Sequence, residues 1–445
     1  MPFTPANLLQ SLAQFPATRR YWIAFSGGCD SHVLLHAMTL LRSQQPDIEI
    51  HAVHINHGLQ QQAAQWQEHC QSVCDALEIP LKLISVDARP IKGQSQEEVA
   101  RDARYTAFEG LIQKDDGLLL AHHQDDQAET LLLQLFRGAG LKGMAAMPSY
   151  AKFSQGWLGR PLLGFSRAEL QTYAEQHALR WINDPSNRDQ GFDRNFLRHS
   201  IMPVLRERWP SVAATLNRSS THLAEGAELL QQLAQQDWQG LQRTDRRLDV
   251  SALRAMDAGR LRNLLRYWLV EECGLRCPDT KHLNRILHEV LPAGPDSNPV
   301  VSWAGGEVRR YRGLLYALEP QPTDTQNRAW AWDGQQSLSL NNQQLVSHIA
   351  EGQGLSLDIR NQPITIRYRQ GGEVCKPVGR GHHHRLKKLF QEWGVPPWQR
   401  PNIPLIYAGE EIAQVVGYCI CEPFQTAARK AGIVVSLENK HRSAH

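Results

Sequence analysis

The sequence predicts an α/β protein: a doubly wound, mostly parallel sheet, then a small helical domain, then an α+β C-terminal domain. Three observations predict it. Strand-like and helix-like segments alternate through the first part of the chain, up to about residue 200. Leucine- and alanine-rich stretches without strands follow, from about residue 212 to 291, and strand and helix patterns mix again from about residue 364. Alternation of the first kind implies parallel strands whose crossover helices cover both faces. Such sheets bind ligands at the carboxyl ends of their strands.

Taken in order, residues 21–25 form a short apolar run that ends in Ser26-Gly27-Gly28. A helical pattern follows, with Leu34, Ala37, Met38 and Leu41 on one face. Residues 49–55 read as a second strand. The next helix carries Trp66, Cys70, Val73, Cys74 and Leu77 at helical spacing, which makes both cysteines packing residues. Residues 81–86 read as a third strand, 97–112 as a helix and 117–121 as a fourth strand; another helix starts near Asp126 and stops at Gly138. Pro292-Ala293-Gly294-Pro295 marks a break. Residues 299–350 look β-rich but weakly patterned, with a turn at Asn341-Asn342. The last region has a strand at 364–369, a helix around 386–393 and a hairpin over 404–420, where Cys419 and Cys421 share one face and read as packing. The expected divisions are 1–210, a mainly helical 211–320, a linker at 321–363, and 364–445.

Composition narrows the class. A chain of 445 residues exceeds one ordinary domain, and 42% hydrophobic with 21% charged residues is a normal globular mix. The net charge of +3 demands no polyanionic partner, so any such surface is a local patch. Eight cysteines lack a C-x-x-C pair, against a zinc ribbon or a disulfide framework. Residues 1–14 lack the blocks of a signal peptide, and no apolar run reaches the ~20 residues of a membrane span. A soluble cytoplasmic protein is expected.

The strongest motif is Ser26-Gly27-Gly28-Cys29-Asp30-Ser31, set between a strand and a helix. Glycines let the backbone approach an anion, and successive N–H groups with the helix N-terminus supply positive potential. The hydroxyls of Ser26 and Ser31 can donate to phosphate oxygens. The G-K-[ST] element of a Walker loop is missing, so cleavage between β- and γ-phosphates is not expected. The bland alternative, a tight turn with a capped helix, does not explain the placement. The motif resembles the signature of the PP-loop (N-type) ATP pyrophosphatases, which have an adenine nucleotide alpha hydrolase-like fold. Members transfer AMP to a carbonyl oxygen and release pyrophosphate. The resemblance implies that Ser26 through Ser31 bind ATP and that Asp30 is catalytic, organising Mg²⁺ beside the phosphates.

Further motifs refine the likeness. They are His54-Ile55-Asn56-His57-Gly58-Leu59, Arg101-Asp102-Ala103-Arg104-Tyr105, His122-His123-Gln124-Asp125-Asp126 with Glu129 and Thr130, and Arg137-Gly138-Ala139-Gly140. Arg160-Pro161-Leu162-Leu163, Asp184-Pro185-Ser186-Asn187 and Arg194-Asn195 follow. Together they resemble the lysidine synthetase family, with Gln60 standing where the family carries an arginine. The likeness spans about residues 20–205 and returns at Gly371-Gly372-Glu373 and Leu386-Lys387-Lys388-Leu389-Phe390. It implies ATP-dependent ligation of free L-lysine to C2 of the wobble cytidine of tRNA(Ile) with a CAU anticodon, through an adenylated cytidine. Asp126 and Glu129, three apart on one helical face, are by resemblance the lysine-binding carboxylates. Arg101 and Arg104 share a helix face, and Arg104 is placed near ATP or the activated cytosine. His54, Asn56, His57 and His123 are expected to line the nucleotide pocket rather than to bind zinc.

The resemblance places Arg194, Asn195 and Arg198 near the anticodon arm. Arg380, Arg385, Lys387 and Lys388, crowded with His382, His383 and His384, suit phosphates. Three other readings compete. A PP-loop tRNA thiolase would need a reactive cysteine set near the loop, where Cys29 stands alone. A small-molecule synthetase would not need the long basic C-terminal half. A tRNA-binding protein switched by ATP would not need the Asp126/Glu129 pair.

Overall fold

The computed structural model describes residues 2–43, 47–58, 63–89, 96–241, 245–294, 297–320, 329–340 and 343–439. Gln60, Pro295 and the turn expected at Asn341-Asn342 lie outside them. The chain divides into two compact units, Met1–Gln236 and Asp237–His445.

The first unit is built on six strands: β1 (Arg20–Ala24), β2 (Glu49–Asn56), β3 (Leu81–Ser85), β4 (Gly117–Leu119), β5 (Tyr150–Phe153) and β6 (Gly156–Gly159). Their order is β3-β2-β1-β4-β6-β5. All pairs are parallel except β5, which folds back on β6 as an antiparallel edge hairpin. The helices are α1 (Pro5–Leu12), α2 (Cys29–Arg42), α3 (Ala63–Ala76), α4 (Gln96–Glu109), α5 (Gln124–Phe136), the short α6 (Leu141–Met144) and α7 (Arg167–Gln176). Further on, α8 (Asp193–Phe196) and α9 (Met202–Arg208) are joined by a π-helical turn, and α10 (Val212–Gly240) follows.

Neighbouring residues of one strand point to opposite faces, and here both faces are apolar. Ile23, Ala52 and Leu119 pack with Val33, Leu34, Met38 and Leu41 of α2 and Leu170 and Tyr173 of α7. Val53 and Leu118 pack on the other side with Phe108 of α4. Each such side chain contributes about 1.5–3 kcal/mol by burial. Close approach is part of the design: a Cβ on Gly117 would lie 2.5 Å from the Trp157 ring. The chain builds β1, β2 and β3 to one side, then returns to set β4 against the other edge of β1. The strand order therefore reverses between β1 and β4, and the loops leaving these two strands open at that crevice.

The second unit has two parts. β7 (Leu248–Asp249), β8 (Val300–Trp303), β9 (Gly306–Tyr311) and β10 (Leu314–Leu318) form an antiparallel sheet ordered β7-β10-β9-β8. It shares a core with α11 (Val250–Arg254), α12 (Ala258–Tyr267) and α13 (Thr280–Arg285), centred on Leu264, Trp268, Leu269, Ile286 and Val308. The remaining strands are β11 (Ala329–Trp332), β12 (Leu338–Leu340), β13 (Gln343–Glu351), β14 (Leu355–Ser356), β15 (Ile364–Arg367), β16 (Val374–Cys375), β17 (His384–Arg385), β18 (Leu405–Ala408), β19 (Glu411–Val415), β20 (Cys419–Ile420) and β21 (Ala431–Asn439), with α14 (Leu386–Glu392) after β17.

Here the expected linker at 321–363 needs correction over its described residues. β11 pairs with β15, and β12, β13 and β14 assemble with β21 into one sheet. Trp332, Leu340, Leu345, Leu355 and Ile359 are buried in the same core as Ile366, Ile406 and Ile433. Long-range pairing supplies the hydrogen bonds that this polar, weakly alternating stretch does not advertise locally. Among the described residues no helix is long and apolar enough to cross a membrane.

Candidate active site

Ser26 to Ser31 run from the end of β1 into α2. Gly27 has φ +81°, and a Cβ there would stand 2.8 Å from Ile182 Cδ1 and 3.0 Å from Cys70 Sγ. Only glycine meets both demands. Gly28 is the N-cap of α2 and uses no side-chain cap, which leaves the first amides of the helix for a ligand. The loop is held from within. Ser31 Oγ accepts from the Ser26 N–H at 3.2 Å and donates to the Gly28 carbonyl at 3.0 Å, while Ser26 Oγ accepts from the Gly28 N–H at 3.3 Å. From outside, the Ile182 N–H donates to the Gly27 carbonyl at 2.9 Å. Burial, with Asp30 adding to it, pushes the Cys29 thiol up to about 12. It is a neutral thiol, without the reactivity a sulfur carrier needs.

Asp30 is the chemically exposed member of the loop. Its Oδ2 lies 3.6 Å from His123 Nε2, and its Oδ1 is buried with no hydrogen-bond partner among the described residues. A buried carboxylate oxygen left unpaired is costly and suits a hard divalent cation. Asp30 fits the Mg²⁺ expected with ATP.

The loop leaving β4 supplies the facing wall. His123 caps α5: its Nδ1 accepts from the Asp126 N–H at 3.4 Å, and Asp126 Oδ2 accepts from the His123 N–H at 3.0 Å. This arrangement leaves the ring proton on Nε2, between Asp30 and Asp126. Burial opposes a charge on His123, but Asp126, Asp30 and Asp125 together outweigh it and raise its pKa. Neighbouring His122 is pushed down to about 3, by burial first, and stays neutral, accepting from Arg160 Nε at 3.3 Å.

Asp126 and Glu129 do share a face of α5, and both are buried, Glu129 to 2% exposure. They are not alone. Arg194 Nε donates to Glu129 Oε2 at 3.0 Å and its Nη2 to Asp126 Oδ1 at 3.1 Å. Arg198 Nε donates to Glu129 Oε1 at 2.7 Å, and its Nη2 to Asp126 Oδ1 and Glu129 Oε2 at 2.8 Å each. Burial raises the Asp126 pKa, but His123, Arg194, His122 and Arg198 outweigh it and hold the carboxyl well below its usual range. The structure thus gives Arg194 and Arg198 a different partner from the RNA expected of them. Two buried carboxylates need compensation, and these guanidinium groups provide it. Asn195 is also engaged within the protein, its Nδ2 donating to the carbonyls of Ser186 (2.9 Å) and Asp189 (2.8 Å) in an exposed turn.

The pocket residues divide by role. His54 Nδ1 bonds the Phe25 carbonyl at 2.9 Å, and burial lowers its pKa, so it ties β2 to the start of the loop. Asn56 Oδ1 accepts from the Gly58 N–H at 2.9 Å and turns the chain after β2. His57 has a buried Nδ1 without a hydrogen-bond partner among the described residues, and its pKa is lowered by burial and then by Arg104. The Arg104 charge also acts on His122, which places this guanidinium across the ends of β2 and β4. Two residues that the sequence assigns no role also line this region. Arg160, buried, donates to the Pro148 carbonyl at 2.7 Å and to Tyr105 Oη at 3.3 Å, bracing α4. His69 of α3 lies 3.7 Å from the Cβ position of Gly27, and its Nε2 is buried and unpaired among the described residues. The R-P-L-L run hinted at the first, and nothing in the pattern singled out the second.

In the second unit, Arg385, Lys387 and Lys388 are exposed at the start of α14. Arg380 is paired with Glu392 at 2.8 Å, and His382 stacks on His384 at 4.3 Å. Cys419 and Cys421 do pack into the core around Leu389, Phe390 and Leu405, joined there by Cys375. Hydrogen bonds from Cys419 and Cys421 hold the Cys375 thiol below its ordinary range.

Comparison with known proteins places this arrangement. The PP-loop domain family matches residues 4–205, the TilS substrate binding domain residues 248–316 and the TilS substrate C-terminal domain residues 364–437. The tRNA(Ile)-lysidine synthase of Coxiella burnetii is 43% identical over 438 residues, covering 98% of this chain and 97% of that protein. Those of Methylococcus capsulatus and Pseudomonas fluorescens are also 43% identical, over 93% and 92% of this chain and 95% and 92% of theirs. With all three domains matched in chain order and full-length relatives at this identity, the chain belongs to the tRNA(Ile)-lysidine synthase family.

Proposed function

We propose that this enzyme ligates free L-lysine to C2 of the wobble cytidine of tRNA(Ile) with a CAU anticodon, using ATP and releasing AMP and pyrophosphate. The observation that carries the reading is the crevice between β1 and β4. On one side stands a glycine loop with open helix amides and the unpaired Asp30 Oδ1, and on the other the buried Asp126/Glu129 pair. A polyphosphate and a cationic amine are the two ligand types these walls suit.

In the proposed reaction the cytidine O2 attacks the α-phosphorus of ATP and pyrophosphate leaves. The ε-amine of lysine then attacks C2, and AMP departs carrying O2. The loop amides and the Ser26 hydroxyl hold the phosphates, while Ser31, whose Oγ donates to the Gly28 carbonyl, keeps the loop in shape. Mg²⁺ held by Asp30 would neutralise phosphate charge when bound. Arg104, facing the ends of β2 and β4, supplies positive charge to the adenylated cytosine. Lysine's ammonium competes with Arg194 and Arg198 for the oxygens of Asp126 and Glu129, so these arginines keep the acids ionised and in place between turnovers. Cys29, half-buried and with its thiol pushed up to about 12, argues against the thiolase alternative.

Glu129→Gln tests the assignment. A charge-assisted hydrogen bond contributes roughly 1.5–3 kcal/mol, so the lysine requirement should rise ~10- to 100-fold while AMP transfer survives and adenylated tRNA accumulates. A lysine titration with labelled tRNA, run alongside detection of the adenylate, reads both steps. Loss of adenylation with unchanged lysine dependence would move the pair to the phosphate site.

A further inference from the structure

Three cysteines of the second unit meet at one point although they are far apart in sequence. Cys375 ends β16, Cys419 opens β20, and Cys421 follows with its side chain on the same side. Backbone pairing brings the two segments together. The Glu422 N–H donates to the Lys376 carbonyl at 2.8 Å, and the Val378 N–H to the Ile420 carbonyl at 3.0 Å. Pro377 and Cys421 form an antiparallel bridge, and the Cys421 N–H donates to the Ala413 carbonyl at 2.9 Å. As a result the three Sγ atoms all lie within 4.8 Å of one another.

That convergence has a chemistry. All three thiols are free. Zinc–sulfur bonds of ~2.3 Å in a tetrahedron set sulfurs ~3.8 Å apart, so the observed spread is on the scale of a shared metal ion. Cys375 and Cys421 are buried, while Cys419 is only partly so, which leaves an approach from solvent. His384 pairs with Cys375 in the β16–β17 ladder, but its ring stacks on His382 at 4.3 Å, and among the described residues only the three thiols converge. Three thiolates leave the fourth position of a zinc tetrahedron to water, and soft sulfur donors disfavour magnesium or calcium.

We propose that Cys375, Cys419 and Cys421 bind one zinc ion, with a solvent molecule in the fourth position. The metal ties β16 to β20 at the base of the segment that carries Arg380 and Arg385. Its role is structural: it fixes the conformation of this basic segment. The proposal does not depend on the reaction assigned there.

The test uses the full-length protein purified without chelator. Metal analysis should find about one zinc per chain, and Cys375→Ser and Cys421→Ser should lose it, while Cys273→Ser keeps it. Cobalt(II) substituted into the wild-type chain should give thiolate charge-transfer absorption with the visible bands of a tetrahedral site. Because Cys419 is partly exposed, Cys419→Ser guards against variants that fail to fold, and it should lower the charge-transfer intensity by about a third. Reduced wild-type protein that takes up neither zinc nor cobalt(II) at these thiols would overturn the proposal. So would native protein in which peptide mapping finds Cys375 joined to Cys419 or Cys421 by a disulfide.

Discussion

Asp30 and the Asp126/Glu129 pair are both carboxylate sites, yet they answer to different partners. The acids of α5 are compensated by two arginines, with five hydrogen bonds between 2.7 and 3.1 Å. Among the described residues Asp30 has the His123 edge at 3.6 Å, and its second oxygen is buried without a hydrogen-bond partner. Among the described residues that oxygen is therefore left for a ligand. Asp30→Asn removes the carboxylate charge at constant volume, so AMP transfer should fall by ~100-fold or more, the scale of losing one strong electrostatic contact to a reacting group. Melting temperature should hold. Pyrophosphate release at ordinary Mg²⁺ reads the effect, and a normal rate would leave Asp30 as a helix-end residue and nothing more. At this scale the sequence was legible where partners are local. Asp126 and Glu129 could be placed on one helix face by spacing alone. Their pairing with Arg194 and Arg198 could not, because it joins α5 to a segment 65 to 72 residues further on. Cys375 eluded the reading for the same reason.

At the scale of elements, α2 is positioned by what precedes it. β1 ends at Ala24, the Phe25 N–H still donates to the Val53 carbonyl at 2.9 Å, and the chain then turns through Gly27 at φ +81°. A side chain at Gly27 would be strained twice, by the left-handed backbone (about 1–2 kcal/mol) and by contact with Ile182 and Cys70. Gly27→Ala should therefore destabilise the protein by roughly 1–3 kcal/mol and raise the ATP requirement, because the loop amides shift. Gly28→Ala, whose Cβ would meet Ser26 Oγ at 3.4 Å with no positive φ, is the milder comparison. Denaturant unfolding and ATP-dependent pyrophosphate release check both, and equal behaviour of the two variants would remove the argument from Gly27. β1, β2 and β4 were legible because each is a compact apolar run with buried residues next to a helical pattern, and β3, an edge strand with none buried, was legible from its short apolar run between two helical patterns. The β5–β6 hairpin was not read, since the glycines of β6 carry little strand signal. The stretch from Ala329 to Ser356, read as β-rich yet divided off as a linker, misled because all its strands but β13 are short and their partners β15 and β21 lie further along the chain.

For the whole molecule the question is how a protein of net charge +3 would hold a large polyanion. The answer lies in distribution, since each phosphate that a cation neutralises releases its own counterion. In the first unit Arg194, Arg198 and Arg206 are engaged by Asp126, Glu129 and Asp125, which lowers their share in any phosphate contact. In the second unit Arg380 is similarly held by Glu392. Arg385, Lys387 and Lys388 differ: they are exposed and lie together at the start of α14, whose apolar residues Leu386, Leu389 and Phe390 anchor it in the core. A rigid helix start with outward cations is a surface suited to a tRNA backbone. Deleting 364–445 would be a poor test, because it removes β15 and β21, the partners of β11 and β13. The better experiment keeps the chain whole and replaces Arg385, Lys387 and Lys388 by alanine. Affinity for tRNA should fall, and the slope of log affinity against log salt should become shallower by roughly 0.7–0.9 for each phosphate that the variant no longer neutralises. ATP affinity should stay as it was. Arg380→Ala should change the slope less, since its charge is already met by Glu392. Filter binding across a salt series gives all four quantities, and a triple variant with the wild-type slope would show that these cations face only water.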